Sequence, residues 1–333
     1  MRVDSAPAMG TRGVLARALI AAIAVVAVLA GAGPAAAATY PVNYDFSQGI
    51  LAQAAHPDSP PPGSNDWSCH PSAAHPRPVV LVHGLLANQT DNWQTISPLL
   101  ANRGYCVFSL TYGTNPNASF PGYTPGGLTT MEESAQQLSD FVDRVRDATH
   151  AGYVDIVGHS EGSLMPDYYV KFLGGDQVVS HYIGITTLWH GTNAAGLATV
   201  DQLGAAFGLS TGVEQAISSF CASCPEFLAG SPFIAKLREG GIAVPGVAYT
   251  SIVTRNDELV VPYTSGIETA PNMTNLVVQK QCPLDQAEHV SMAADPVVAQ
   301  DVLNALDPKH PEAVPCTLVL PLIGAPAYTG PPR

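Results

Sequence analysis

The chain has 333 residues and a formal net charge of −13 at pH 7, and only 12% of its residues are charged. An acidic surface of this kind repels nucleic acid and anionic lipid, so we expect neither as a binding partner. The length is ordinary for one α/β domain and does not require two, and the chain contains no internal repeat and no block of like charge.

Residues 1–38 have the pattern of a secretory signal peptide. Three arginines are followed by the apolar run Ala18–Ala30 and then by a small-residue cleavage site at Ala36 to Ala38. The apolar run is shorter than the roughly 20 residues that span a bilayer, which favours cleavage over the alternative of a signal anchor. We therefore expect residues 39–333 to be secreted without stable membrane insertion. Loss of three arginines and one aspartate would take the net charge from −13 to −15.

Beyond the signal peptide, the sequence predicts an irregular N-terminal arm over residues 39–76 and a domain of alternating strands and helices over 77–316. The predicted strands are Val79–Val82, Tyr105–Leu110, Tyr153–Val157, Tyr182–Leu188, Gly246–Val253 and Asn275–Gln279. The predicted helices are Asp91–Ala101, Thr130–Ala148, Leu164–Leu173 and Val297–Ala305. This alternation is typical of an α/β fold in which a mostly parallel sheet carries helices on both faces. A Pro-rich tail over 317–333 is expected to be irregular.

The six cysteines all lie in the part of the chain that is predicted to be secreted, and an even count there is typical of a disulfide framework. The sequence leaves the connectivity open, and we favour Cys69–Cys106, Cys221–Cys224 and Cys282–Cys316. The C-x-x-C pair could instead be a redox or zinc motif. Because no second C-x-x-C and no nearby histidine pair completes a zinc set, a structural clip is the prediction.

The pentapeptide Gly158-His159-Ser160-Glu161-Gly162 lies between a predicted buried strand and a predicted helix. This context fits the nucleophile elbow, in which a serine stands on a sharp strand-to-helix turn. The strained turn crowds the residues two before and two after the serine, so side chains at positions 158 and 162 would collide. The motif predicts Ser160 as a nucleophile.

A serine nucleophile needs a base and an acid that orients the base. In α/β enzymes with this elbow, an Asp or Glu and then a His follow the serine in the chain. Asp257 follows one predicted strand and His289 follows the next, and such loops gather at one edge of a parallel sheet. His190 also follows a strand and is the rival base, although it precedes the acid. Glu258 and Asp285 are the rival acids.

Two backbone N–H groups are predicted to hold the negative oxygen that forms when a serine attacks an ester. One comes from the loop after the first strand, where His83-Gly84 marks a turn, and the other from the residue after the nucleophile. These positions belong to Leu85 and Glu161. A backbone donor serves whatever its side chain, so the apolar Leu85 fits this role.

Further motifs accompany the elbow. They are Val80-Leu81-Val82-His83-Gly84, Asp91-Asn92-Trp93, Met165-Pro166-Asp167-Tyr168-Tyr169, the run from Arg255 to Tyr263, and Glu288-His289. With these motifs, the chain from Cys69 to Cys316 resembles the secreted bacterial lipases of the triacylglycerol lipase class 2 family, of α/β-hydrolase fold. The resemblance implies a lipase or esterase with Ser160, Asp257 and His289 as its triad. The family usually has Gln-Gly-Gly after the nucleophile, whereas Glu161-Gly162-Ser163 here puts a carboxylate near the oxyanion site.

The small, apolar and Gly-rich residues 194–241 interrupt the alternation of strands and helices. We interpret them as a cap that lines an acyl pocket, with a packed helical excursion as the alternative. An ester or lipid is the expected substrate, and the chemistry needs no metal or organic cofactor. An acyltransferase with the same triad and a catalytically silent surface or binding protein remain alternative functions. We expect a monomer.

Overall fold

The computed structural model of the protein describes Met1 and residues 39–118, 121–193 and 219–330. Two units divide the chain, Met1–Thr39 and Tyr40–Arg333. The predicted signal peptide therefore lies almost wholly outside the described residues, as does the first part of the predicted cap, 194–218.

Six parallel strands form one sheet in the second unit. In chain order they are β1 (Val79–Val82), β2 (Val107–Leu110), β3 (Val154–His159), β4 (Val179–Ile185), β5 (Ala248–Val253) and β6 (Met273–Val277). Their order across the sheet is β2-β1-β3-β4-β5-β6, and each neighbouring pair is parallel. The order reverses between β1 and β3, and loops at such a switch point form the usual binding crevice of open α/β sheets.

Helices connect the strands. The described α-helices are α1 (Ser47–Ala55), α2 (Gln89–Asn92), α3 (Ile96–Asn102), α4 (Met131–Thr149), α5 (Met165–Phe172), α6 (Pro232–Arg238), α7 (Val278–Gln281) and α8 (Pro296–Leu306). Short 3-10 turns occur as well, one of them directly after β3 at Ser160–Ser163.

The sheet is buried on both faces because alternate residues of each strand join two different cores. In β1, Val80 and Val82 pack in one core together with residues of α4, α5 and α6. Val79 and Leu81 pack in the other core, with residues of α3 and α8. Burial of each such side chain contributes roughly 1.5–3 kcal/mol. The predicted α/β fold with helices on both faces is confirmed.

The predicted helix Asp91–Ala101 is two helices in the structure, α2 and α3, which are separated at Trp93. Pro98 explains the break, because it has no N–H for a helical bond to the residue four positions earlier and its ring would clash there. The second helix begins at Ile96, so the proline falls in its first turn. Asn88 starts the first helix two residues earlier than predicted by accepting hydrogen bonds from the N–H groups of Thr90 and Asp91.

Other elements also differ from the sequence prediction. The strand predicted at Asn275–Gln279 is β6, which ends at Val277, directly before α7 begins. The N-terminal arm is not irregular throughout, because it contains α1. The strand predicted at Tyr182–Leu188 is β4, which begins at Val179 and ends at Ile185. Thr186 follows with a φ of 51°, a left-handed conformation that ends the extended chain.

Three disulfides have the connectivity favoured from the sequence. Their Cα–Cα distances are 5.8 Å for Cys69–Cys106, 5.4 Å for Cys221–Cys224 and 4.9 Å for Cys282–Cys316. The last one ties the segment before His289 to the start of the tail. Within the tail, Val319 forms a parallel bridge with Asp285, so this part of the chain packs against the domain.

Candidate active site

Ser160 stands on the turn that follows β3, with a φ of 56°. The turn is tight enough to require glycine on both sides. A Cβ at Gly158 would lie 1.6 Å from the carbonyl oxygen of Gly162, and a Cβ at Gly162 would lie 2.0 Å from the carbonyl oxygen of Val82. Both distances are far below any possible contact, so the steric crowding expected from the pentapeptide is present.

The side chain of His289 lies between those of Ser160 and Asp257. Its Nε2 is 2.7 Å from the Oγ of Ser160, and its Nδ1 is 2.9 and 3.1 Å from the two carboxylate oxygens of Asp257. Because a carboxylate only accepts hydrogen bonds, Nδ1 carries the proton and Nε2 is free to accept the serine hydroxyl. The imidazole is therefore oriented to remove a proton from Ser160.

The turn after β5 holds the carboxylate in place. Oδ1 of Asp257 accepts the backbone N–H groups of Leu259 at 3.0 Å and Val260 at 2.7 Å. The Asp257 side chain is 2% exposed and that of His289 is 4% exposed, so water does not compete for their contact. Hydrogen bonds from the chain thus keep the acid in one position before any substrate binds.

The rival residues have other contacts. Glu258 accepts the backbone N–H of His289 at 3.3 Å rather than its ring. Asp285 is buried and accepts the N–H of Ala287. His190 lies 3.4 Å from a carboxylate oxygen of Glu268. Among these candidates, the structure brings only Asp257 to the imidazole of His289.

The loop after β1 lies directly against the nucleophile. A Cβ at Gly84 would lie 3.0 Å from the Cβ of Ser160 and 3.6 Å from its Oγ. Leu86 donates its N–H to the carbonyl of Gly126 at 3.0 Å. This hydrogen bond holds the backbone directly after Leu85 in place. The predicted donor loop and the nucleophile therefore lie on either side of the switch point between β1 and β3.

The side chain of Glu161 is fully buried and packs beneath Gly127, where a Cβ would lie 2.6 Å from its Oε2. Tyr112, Ser223 and Glu226 are its other neighbours. Burial, and then the charge of Glu226, raise the pKa of Glu161 well above its ordinary value. Both effects favour the neutral form of this side chain over the carboxylate that the sequence suggests.

A bridge of two polar side chains connects the donor loop with the base, and its role was not predicted from the sequence. Oδ1 of Asn92 accepts the N–H of Gly84 at 3.1 Å and lies 3.1 Å from Nδ1 of His159. Nε2 of His159 lies 3.0 Å from the carbonyl oxygen of His289. Burial lowers the pKa of His159 to about 4, so this imidazole is neutral near neutral pH. A neutral imidazole has a single N–H and both neighbouring oxygens are acceptors, so only one of these two contacts is a hydrogen bond at a time. The only signal in the sequence was that Asn92 lies in the Asp91-Asn92-Trp93 motif and His159 in the elbow pentapeptide.

The described end of the predicted cap packs beside Glu161. The N–H of Ala222 bonds to the carbonyl of Leu128, and Ser223 donates its hydroxyl to the carbonyl of Gly127. Cys221 and Cys224 form their disulfide within this short segment. The segment is thereby attached to the loop that precedes α4.

Neither a metal cluster nor a membrane-spanning helix is found in the part of the chain that the structure describes. No group of three or more His, Cys, Asp or Glu residues there could hold a metal ion. No helix there is long and apolar enough to cross a membrane.

The sequence matches the family described as Lipase (class 2) over residues 76–302. This range covers more than half of the chain and contains Ser160, Asp257 and His289.

Comparison with solved structures gives several similarities, and the first of them shows the fold. The chain is similar to lipase B of Aspergillus fumigatus, with 19% identity and a TM-score of 0.55, over 86% of this chain and 64% of that one. It is also similar to a mature lipase of Bacillus licheniformis, with 14% identity and a TM-score of 0.46, over 71% and 91% of the two chains. A thermophilic esterase of Thermogutta terrifontis gives 16% identity and a TM-score of 0.45, over 70% and 90%. The chain thus spans less than two thirds of the Aspergillus protein.

Proposed function

The chain belongs to the class 2 lipase family, and from this premise we propose that it is a secreted ester hydrolase that forms an acyl-enzyme on Ser160. The observation that carries the proposal is the position of His289, whose imidazole contacts Ser160 through one nitrogen and Asp257 through the other. This is the arrangement in which a histidine activates a serine hydroxyl.

In the acylation half, Oγ of Ser160 bonds to the carbonyl carbon of the ester while Nε2 of His289 takes its proton. The carbonyl π pair moves to the oxygen, and the N–H groups of Leu85 and Glu161 donate hydrogen bonds to the resulting negative charge. When the intermediate collapses, the bond to the alcohol oxygen breaks and His289 returns the proton to that oxygen. Asp257 stabilises the imidazolium in between.

In the deacylation half, water takes the place of the alcohol. His289 removes a proton from the water as its oxygen attacks the acyl carbon, and the proton then goes to Oγ of Ser160 as the acid leaves. Burial raises the pKa of Glu161 and so favours its neutral form, in which the side chain adds no negative charge beside the developing oxyanion. Every proton transfer uses side chains of this chain.

The proposed substrate is a carboxylic ester, including those of lipids, and the proposed state is a secreted monomer that does not bind nucleic acid. Three disulfides support secretion, because disulfides persist in oxidising compartments. The net charge of −13 supports the exclusion of nucleic acid.

The test is turnover of a p-nitrophenyl ester by the wild type and by Ser160→Ala. Hydrolysis should disappear in this variant, with the circular dichroism spectrum unchanged. Ser139→Ala, a partly exposed serine on α4, is the matched control and should keep wild-type activity. Wild-type turnover by Ser160→Ala would refute the assignment. Product analysis with an added acceptor alcohol separates hydrolysis from acyl transfer, and a chain-length series of esters separates esterase from lipase.

A further inference from the structure

A buried aspartate stands at each end of the loop that carries His289. At one end, Oδ1 of Asp285 accepts the N–H of Ala287 at 2.7 Å. At the other end, Oδ1 of Asp295 accepts the N–H of Val297 at 2.7 Å and caps the first turn of α8. Both aspartates are fully buried. Each carboxyl group therefore uses one oxygen to fix the backbone at one end of the loop.

The second oxygens are the unusual feature. Oδ2 of Asp285 and Oδ2 of Asp295 both lie buried without a hydrogen-bond donor among the described residues. The two side chains are also within hydrogen-bonding reach of each other. Two ionised carboxylates cannot bond, because both only accept, but one shared proton makes an O–H···O bond that satisfies both atoms.

The surroundings favour such a proton. Burial, and then the charge of Asp285, raise the pKa of Asp295 well above its ordinary value, and burial also raises that of Asp285. Tyr44 of the N-terminal arm is the titratable group that faces the pair, with Tyr328 of the tail against its ring. Neither tyrosine supplies a positive charge. Within the described part of the chain, neither aspartate forms an ion pair with a lysine, arginine or histidine.

We propose that Asp285 and Asp295 share one proton and, by joining the two ends of the loop between them, act as positioning residues for His289. The proposal rests on the proposed role of His289 as the base.

Contacts along the loop carry this effect to the imidazole. The carbonyl of Ala287 accepts the hydroxyl of Thr254 at 2.6 Å, which ties the loop to the end of β5. Glu288 accepts the N–H groups of Val290 and Ser291, both at 3.1 Å. Burial alone would raise the pKa of Glu288, but hydrogen bonds from Ser291 and the chain lower it. Loss of the shared proton would place two like charges at the loop ends and disturb the 2.7 Å contact between His289 and Ser160.

A charge count tests the shared proton without reference to catalysis. Capillary electrophoresis of the folded protein near neutral pH compares the wild type with the double variant Asp285→Asn/Asp295→Asn, in which both carboxyls are removed. The double variant should be one unit more positive than the wild type. Asp140→Asn, an exposed aspartate on α4, is the matched control and should also be one unit more positive.

A two-unit change in the double variant would mean that both carboxyls are ionised in the wild type, and would overturn the proposal. No change in the double variant would mean that both are neutral, and would overturn it as well. These outcomes do not depend on whether Ser160→Ala is active. The charge measurement can therefore refute the shared proton without refuting the proposed function.

Turnover of a short soluble ester tests the positioning role. Asp295→Ala should lower kcat by about 100-fold with little change in KM, because the base is displaced while substrate binding is not. Asp295→Asn should restore kcat to within about threefold of the wild type, since an amide caps α8 and donates to Asp285. Equal losses in the two variants would refute the positioning role. If Asp295→Ala does not fold, Asp295→Asn decides alone, and a loss beyond tenfold overturns the proposal.

Discussion

Replacing Asp257 by asparagine changes one oxygen of the site into an NH2 group. Oδ1 already accepts two backbone N–H groups, from Leu259 and Val260, so the amide oxygen must stay at that position. The NH2 group then replaces Oδ2, which lies 3.1 Å from Nδ1 of His289, and it competes there with the amide oxygen that remains 2.9 Å from the same nitrogen. A donor at that distance favours the imidazole tautomer whose proton is on Nε2. That nitrogen faces Ser160 at 2.7 Å and can no longer accept its proton.

The expected loss of activity is large for two reasons. The imidazole of His289 takes the wrong tautomer, and residue 257 no longer carries the negative charge that stabilises the imidazolium. In serine hydrolases with this arrangement, the same substitution lowers kcat by about 10⁴-fold. Such a factor corresponds to about 5 kcal/mol of transition-state stabilisation. KM should change much less, since the imidazole keeps its position between the two side chains.

The assay is the rate of p-nitrophenyl ester hydrolysis across neutral pH, with thermal unfolding to show that the variant is folded. Glu258→Gln is the matched control, because this neighbouring carboxylate contacts only the backbone N–H of His289 and an amide oxygen can replace it. We expect a loss of about tenfold or less for this variant. The reasoning is wrong if Asp257→Asn keeps activity within tenfold, or if Glu258→Gln falls as far as Asp257→Asn.

Two further predictions concern the elbow. Gly162→Ala should lower the free energy of unfolding by about 3 kcal/mol, because the added Cβ would lie 2.0 Å from the carbonyl oxygen of Val82. Urea denaturation measures this, with Gly152→Ala, where a Cβ meets no atom within 4 Å, as the control that should change little. Glu161→Gln should gain stability over the wild type as pH rises. Because the pKa of Glu161 is raised in the folded state, its contribution to the free energy of unfolding is complete at acid pH, where the side chain is protonated. Above the unfolded value of about 4.3, that contribution falls by up to about 1.4 kcal/mol per pH unit. Thermal midpoints of the two proteins that stay parallel from about pH 4 to pH 9 would contradict this.

The fold was largely predictable because its strands carry a simple signal. Val79–Val82 is continuously apolar, and the structure buries every one of these side chains between two layers of helices. Helix boundaries were less predictable, since they depend on single residues. Pro98 breaks a helix that its apolar pattern would continue, and α1 forms from a segment of the arm that has no charged residue and little periodicity.

In the candidate site, residues that lie in recognisable local motifs could be predicted from the sequence. Residues whose role depends on tertiary contacts could not. Ser160 and His289 are each marked by local sequence. The bridge through Asn92 and His159 joins loops that lie far apart in the chain, and no local pattern encodes it. The same holds for Asp285, which looked like a rival acid because its burial and its pairing with Asp295 are invisible in the sequence.

The support of the loop that carries His289 extends beyond the segment that matches the family. The family match ends at residue 302, yet Gln286 donates its N–H to the carbonyl of Val319, and Leu322 donates its N–H to Glu288. The arm in turn holds the tail, because the carbonyl of Tyr44 accepts the N–H of Ala325. A chain cut at residue 302 would therefore keep Ser160, Asp257 and His289 and lose the contacts of the tail that hold the His289 loop in place.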